Sequence, residues 1–419
     1  MGTETEYLQS IQQALKSLTT AANNCQLTYT HAVGQDVHSL CAREAVRKTL
    51  VLEANKFLQI AQGPVDAAAT CFEQTAHLAS VRALLEAGVF EVLPTDGTPR
   101  TMKEVADKLD VDESLLARLM RHASLYGPLE ETGPASYRHT PFSLVYLRPE
   151  IRGMVRFAMD EHMPAHLKLH EYLQQTSWTA PSSSTNNPYT HAHGITGTSM
   201  FANLSAPSNK HRLDAFNDAM TVQATTAIWM IDLFPFHEVL SPSASADTVL
   251  AVDIGGGTGR AISRIRSLAG NLPGRYILQD QAHVVSNLPS SYPSSYLDGI
   301  ETMAHDFFTL QPVAGAQIYL IRRCLHNWPE ESVIRILKNI APAMDRTNSR
   351  LLIEEIIVPE SNSGIEEGWM DMIMMTLGAK QRTLEEWRGV LGTAGMEVVR
   401  VYRVDGICHG LIEARVKRE

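Results

Sequence analysis

Basic residues are in short supply in this 419-residue sequence: 36 Lys and Arg stand against 46 Asp and Glu, a formal net charge of −10. Affinity for nucleic acid rests largely on neutralising phosphates, and no basic cluster offsets the acidic excess, so no nucleic-acid partner is expected. Cysteine is scarce and scattered. The five (Cys25, Cys41, Cys71, Cys324 and Cys408) form no CxxC pair, so neither a disulfide framework nor a zinc site is indicated. No apolar run reaches the roughly 18 residues of a membrane-spanning helix. The N-terminus also lacks the basic-then-apolar pattern of a secretory signal. The expected setting is the cytoplasm, with no membrane partner.

What remains is the composition of a globular chain, with 44% hydrophobic and 20% charged residues and a length that suggests two or three domains. The most informative stretch is 248–259. Its first half, Thr248-Val-Leu-Ala-Val-Asp-Ile254, is a short apolar run, the pattern of a strand buried on both faces. Its second half places glycines at 255, 256, 257 and 259, and a helical pattern follows at Ile262, Ile265 and Leu268. A strand turning through glycines into a helix is a nucleotide cradle, because the backbone can approach the ligand and the helix N-terminus offers free N–H groups. Gly255, Gly257 and Gly259 are spaced by two, which differs from the dinucleotide fingerprint. The spacing resembles motif I of class I S-adenosylmethionine (SAM) methyltransferases.

Residues 1–60 read as an N-terminal helical arm, with Leu8, Ile11, Leu15 and Leu18 at helical spacing. In residues 61–150 a helix over 74–87 closes on Gly88. Thr101 and Glu104 then form a capping box, and Asp112 caps a second helix. Two short extended pieces around Gly133-Pro134 complete a winged-helix pattern. Residues 151–240 read as mixed helices, including a long one over 154–173 broken near Pro164, and a surface loop over 177–188. His162, His166 and His170 recur every four residues and would share a helix face. No HExxH pattern or ligand carboxylate accompanies them, so they are taken as surface or pocket-lining histidines. From 241 to 419, strands and helices alternate, which predicts a mostly parallel, doubly wound Rossmann-like sheet with an antiparallel edge at the C-terminus. Met370, Met372, Met374 and Met375 gather late in the chain, where methionine fills irregular gaps.

Ligands of such sheets bind beyond the carboxyl ends of the strands. Asp280 ends the second strand, where a carboxylate can accept both ribose hydroxyls of a nucleoside. Asp306 and Phe307 follow the third, placed to hold an adenine. His326 follows the fourth and has the chemistry of a general base. Glu355 lies within the fifth and could orient that imidazole, while Glu354 would face the opposite way.

These motifs together resemble the plant and fungal O-methyltransferases of the caffeic-acid type. The resemblance runs over residues 77–145 and 190–416. It includes Ala192-His193-Gly194, Phe216-Asn-Asp-Ala-Met220, Asp253-Ile-Gly-Gly-Gly-Thr-Gly259, Asp280 with Gln281-Ala-His-Val284, Leu325-His-Asn-Trp328 and Gly378-Ala-Lys-Gln-Arg-Thr383. It implies a homodimer built through the N-terminal domain and a SAM site drawn from Asp253, Gly255, Gly257, Gly259, Asp280, Asp306, Phe307 and Arg322. It also implies a base, His326, that deprotonates a hydroxyl of a small aromatic or polyketide-derived metabolite. Two positions depart from the family. Asn327 stands where Asp is common, and Gln381 stands where a second glutamate flanks the base. Loss of both carboxylates would lower the basicity of His326. Some fungal proteins of this kind keep the SAM site but catalyse dehydration or pericyclic reactions. On that alternative, Arg322 or Arg323 with His162 would polarise the substrate, and SAM would act as a fixed charge. A third reading is a SAM-binding scaffold without activity.

Overall fold

The computed structural model describes residues 4–418 apart from 33, 35, 241–244, 271 and 292–296. The boundary expected at 240/241 therefore falls beside residues outside the described set. The chain divides into two compact units. The first comprises Met1–Ala14, Asn55–Met163 and Asn203–Gln223, and the second comprises Leu15–Ala54, Pro164–Ala202 and Ala224–Glu419.

The first unit holds the winged-helix element. Thr101 Oγ1 accepts from Glu104 N–H at 3.3 Å while Glu104 takes the Thr101 N–H at 2.7 Å, which closes the capping box of the helix Met102–Leu109. Asp112 caps Glu113–Ser124. Strands Leu129–Gly133 and Ser136–His139 pair antiparallel, and Arg100–Thr101 adds a third. Leu84, Phe90, Val105, Leu116 and Met120 pack between them as one buried core.

Two helical expectations needed correction. The helix expected over 74–87 is the end of a longer one, Val37–Ala87, kinked where Gly63 has φ 73° ahead of Pro64. Gly63 leaves the helical conformation there, so two helices meet at the kink, and the second, which opens with Pro64, ends at Gly88, whose φ of 81° is left-handed. The helix expected over 154–173 is interrupted. Pro149–Phe157 passes into a π turn, Ala158–His162, then Met163–Leu167 and Leu169–Gln175. Pro164 has no N–H for the preceding turn, which is where the wider π turn forms. The histidines at 162, 166 and 170 thus do not lie on one unbroken helix face.

In the second unit the strands of the large sheet are β1 (Val249–Ile254), β2 (Arg275–Asp280), β3 (Glu301–Ala304), β4 (Ile318–Arg322), β5 (Arg350–Val358), β6 (Met396–Tyr402) and β7 (His409–Val416). Their spatial order is β6-β7-β5-β4-β1-β2-β3. β1 to β5 pair in parallel, and β7 runs antiparallel to both β5 and β6. This is the doubly wound sheet with an antiparallel edge expected from the sequence. Alternation along the central strands divides the core in two. Tyr319, Ile321, Leu351 and Ile353 join Val333, Ile336, Leu337 and Ile340 of the helix Glu330–Ile340. Ile318, Leu320 and Leu352 join Ile262 and Ile265 of the helix Arg260–Leu268 on the other face. A period of two in the strands and a stripe in each helix produce both layers. The order reverses between β1 and β4, so the loops after those two strands part and leave a crevice at their carboxyl ends.

Leu337 is fully buried in the first of these cores, whereas Val399 on the edge strand is 44% exposed. Leu337→Ala should lower the unfolding free energy by about 3 kcal/mol through the cavity it leaves. Val399→Ala should change it by less than about 0.5 kcal/mol in the same urea titration.

Candidate active site

The crevice begins at the glycine turn after β1. Gly255, Gly257 and Gly259 have φ of 69°, 55° and 76°, a left-handed backbone that side-chain-bearing residues adopt at a cost. Gly256 is required by space, since a Cβ there would lie 2.5 Å from both Asp253 Oδ2 and Leu278 Cδ1. Gly255 and Gly256 N–H groups donate to Gln279 O at 2.8 and 3.1 Å, which locks the turn onto β2. Asp280 accepts from Gly257 N–H at 2.8 Å and from Gln281 N–H at 2.7 Å, and burial pushes its carboxyl up. The Phe307 ring borders the turn, 3.6 Å from where a Cβ on Gly255 would sit, and Cys324 Sγ borders it at 3.3 Å. Asp306 accepts from Phe308 N–H at 2.9 Å and so shapes the loop that carries Phe307.

Asp253 is fully buried, and among the described residues neither of its carboxylate oxygens has a hydrogen-bond partner. Burial pushes its pKa up to about 7, against the nearby Arg322 charge. An orphaned buried carboxylate, a second acid at the next strand end and an aromatic ring over a glycine turn fit a ligand with an ammonium group, a ribose diol and an adenine. SAM carries all three.

The second cluster lies across the crevice. His326 sits on a single 3-10 turn, Leu325–Asn327, just after β4, and is buried. Glu355, fully buried in β5, reaches that turn. Its Oε1 accepts from Cys324 N–H at 3.0 Å and from His326 N–H at 3.2 Å, and its Oε2 lies 2.7 Å from His326 Nδ1. Asn327 Nδ2 donates to Cys324 O at 3.2 Å and closes the same turn. An ionised aspartate at this position could not make that bond. Gln381 Nε2 lies 3.4 Å from His326 Nδ1, and Asp371 Oδ1 accepts from Gln381 N–H at 2.8 Å. The Trp328 ring stacks on Phe201 at 5.6 Å and meets Phe307 edge-on at 5.9 Å, which ties the His326 turn to the loop after β3. Cys324, Trp328, Asp371 and Arg382 were not singled out from the sequence. Only their adjacency to motifs could have flagged Cys324, Trp328 and Arg382, and nothing local flags Asp371.

The two arginines before the base differ. Arg322 Nε stands 2.6 Å from Glu354 Oε2, its Nη1 donates to Ala224 O at 3.2 Å, and its Nη2 contacts Thr226 O. Glu354 meets His409 Nδ1 at 3.2 Å, His409 Nε2 meets Glu366 at 3.0 Å, and Lys48 meets Glu366 at 2.5 Å. Arg322 is thus the end of a chain of ion pairs rather than a free donor. Arg323 instead has a left-handed φ of 49°, and its Nη1 is buried without a hydrogen-bond partner among the described residues. His162 lies in the first unit, buried at the end of the π turn, with Phe157 edge-on at 5.0 Å.

Residues 177–397 match the model of the O-methyltransferase domain, and residues 73–149 match that of the O-methyltransferase dimerisation domain. The chain belongs to the O-methyltransferase family. It is 96% identical to O-methyltransferase desB of Aspergillus desertorum over 419 residues, the whole of both chains. Its fold matches the crystal structure of OxaC in complex with SAH and oxaline, with a TM-score of 0.85, 32% identity, and coverage of 98% of this chain and 100% of that one. It also matches a structure described as a pericyclic reaction enzyme, with a TM-score of 0.81, 27% identity, and coverage of 95% and 100%. The protein is a SAM-dependent O-methyltransferase with an N-terminal dimerisation domain. Among the described residues, no helix of this methyltransferase is long and apolar enough to cross a membrane.

Asp253 yields a prediction with a definite sign. Its folded-state pKa of about 7 exceeds the 3.8 of a free aspartate, so the folded chain binds a proton that the unfolded chain has released between those values. The stability associated with that proton is complete below the lower value and is lost as pH rises through the upper one. Asp253→Asn should therefore raise the melting temperature of the ligand-free protein by about 3 °C at pH 8, and the gain should vanish towards pH 4. The same variant should weaken SAM about tenfold or more by isothermal titration, because a charged acceptor is lost.

Proposed function

We propose that this methyltransferase transfers the SAM methyl group to a hydroxyl of a small aromatic or polyketide-derived secondary metabolite, with His326 as the general base. The observation that supports this most directly is the buried contact between His326 Nδ1 and Glu355 Oε2 at 2.7 Å. A carboxylate beside Nδ1 favours the tautomer protonated there, which leaves Nε2 with its lone pair. Nε2 takes the hydroxyl proton, and Glu355 stabilises the resulting imidazolium. Bound SAM supplies an activated methyl group on a sulfonium, which leaves as neutral thioether. The chain's own contribution is positioning and proton removal. Asp253 would hold the cofactor's ammonium, Asp280 its ribose hydroxyls, and Asp306 and Phe307 its adenine, with Gly255, Gly257 and Gly259 giving the close approach. Arg322 acts on that site as a nearby positive charge beside Asp253. The acceptor class is the one implied by the resemblance to the caffeic-acid-type family, and the stack of Phe201 on Trp328 gives an aromatic surface beside the base turn.

We also read the protein as a homodimer. The matched dimerisation domain exposes Leu125 and Phe142 at 70% each, and a second copy would cover them. The pericyclic alternative is favoured by one structural relative and by the Arg323 Nη1 that has no hydrogen-bond partner among the described residues.

Incubation with methyl-labelled SAM and a panel of phenolic and polyketide-derived acceptors tests the base. His326→Ala should lower kcat about 10²- to 10⁴-fold while SAH affinity holds. An acceptor that isomerises or loses water while labelled SAM stays intact would replace methyl transfer with the pericyclic reading.

A further inference from the structure

Arg382 is fully buried and has no carboxylate within ion-pair distance among the described residues. It lies in a two-residue strand beside β5, where Ile357 pairs with Arg382. Its Nη2 donates to Trp328 O at 3.2 Å, its Nη1 donates to Lys380 O at 3.3 Å, and its guanidinium stands 5.3 Å from the Trp387 ring centroid. Nε is buried without a partner. A guanidinium stays charged at any working pH, and a buried cation needs an anion nearby to offset its desolvation.

The strand partner of Arg382, Ile357, lies two residues from Glu355 on the same face of β5, and four acids act on the Arg382 charge: Glu355, Glu330 and Glu386 from the helices Glu330–Ile340 and Leu384–Thr393, and Asp371 from Ile365–Thr376. Three are otherwise engaged. Lys380 Nζ lies 3.5 Å from Glu330 and 2.6 Å from Glu386, and Asp371 accepts from Gln381 N–H at 2.8 Å. Glu355 accepts from the Cys324 and His326 N–H groups and meets the His326 ring, and it is the anion that acts on Arg382 most strongly.

We propose that Arg382 is a positioning residue that straps the His326 turn to the Gln381 segment and supplies the positive charge that balances Glu355. One guanidinium thereby connects the residue two after the base to the residue before the flanking amide. The inference rests on His326 being the base. Without Arg382, Glu355 faces His326 uncompensated, and the pair binds its shared proton more tightly, whichever of the two carries it.

The test is the titration of the His326 ring, followed by NMR in full-length, histidine-labelled protein saturated with SAH. The signal is assigned by its loss in His326→Gln. Arg382→Met should raise that pKa by about one unit, and the acid limb of kcat with labelled SAM should move up with it. Arg382→Lys keeps the charge but not the planar fork, so its pKa should stay at the wild-type value while kcat falls about tenfold, from the lost second hydrogen bond. Should Arg382→Met fail to fold, Arg382→Gln serves as the neutral variant with the same expectation. An unmoved or lowered His326 pKa in the neutral variants overturns the proposal, as does a Lys variant that titrates like the neutral ones. Retention of methyl transfer by His326→Gln would instead remove the base assignment, and the NMR titration would still report on the strap.

Discussion

Glu355 is a carboxylate with no exposure in the middle of a parallel sheet, and much of the site follows from what that costs. An ion taken out of water loses several kcal/mol of hydration unless the protein replaces it. Here the replacement is local. Two successive segments of backbone, at Cys324 and His326, turn their N–H groups onto one oxygen, and the imidazole meets the other. The chain after β4 can converge on Glu355 only by leaving the extended conformation abruptly. Arg323 does this with a left-handed φ of 49°, and the short turn that follows is closed by Asn327. The strained residue, the departure from the family's aspartate and the orientation of the base are consequences of one buried charge.

The adjacent residue shows how a strand keeps two such charges apart. Glu354 and Glu355 are neighbours in β5, but the pleat sends them to opposite faces. Glu354 joins Arg322, His409, Glu366 and Lys48 in a chain of alternating charges. Two carboxylates hold the His409 imidazole, and despite burial its pKa is raised. Glu366, between His409 and Lys48, is held well below the ordinary carboxylate range. Lys48 comes from the long N-terminal helix, so residues read as a bare arm contribute a cation to this network. His409 and Cys408 also lie close enough to Glu366 to resemble a metal triad, but Lys48 already supplies the positive charge there.

On the cofactor side the logic is reversed. Asp253 is left without partners in the protein, at a cost in the free chain that a cationic ligand would offset. The glycine turn is held by its hydrogen bonds to Gln279, and the Gln279 and Gln311 side-chain amides donate to each other at 2.9 and 2.8 Å. The loop after β3, with Asp306 and Phe307, is thereby anchored to the strand that carries Asp280. A site that keeps its shape without ligand loses less entropy when it binds one.

The sequence by itself determined the doubly wound sheet, its antiparallel edge, the wing and the glycine turn. Strand alternation, capping boxes and spaced glycines are short-range signals that a neighbouring element cannot override. It also located His326 just beyond the fourth strand and Glu355 within the fifth, where a period of two sets the face. It did not determine the course of the long helices, because Gly63-Pro64 and Pro164 can bend, widen or end a helix, and packing decides among these. Nor did it distinguish Arg322 from Arg323. Two adjacent arginines look alike in one dimension, and only the register of β4 against β5 brought Glu354 to the first and left the second unpaired. Arg382 reaches Trp328 and Lys48 reaches Glu366 from segments distant in sequence, and burial decides whether such a charge is a solvated side chain or part of a site. Burial is a property of the folded chain alone.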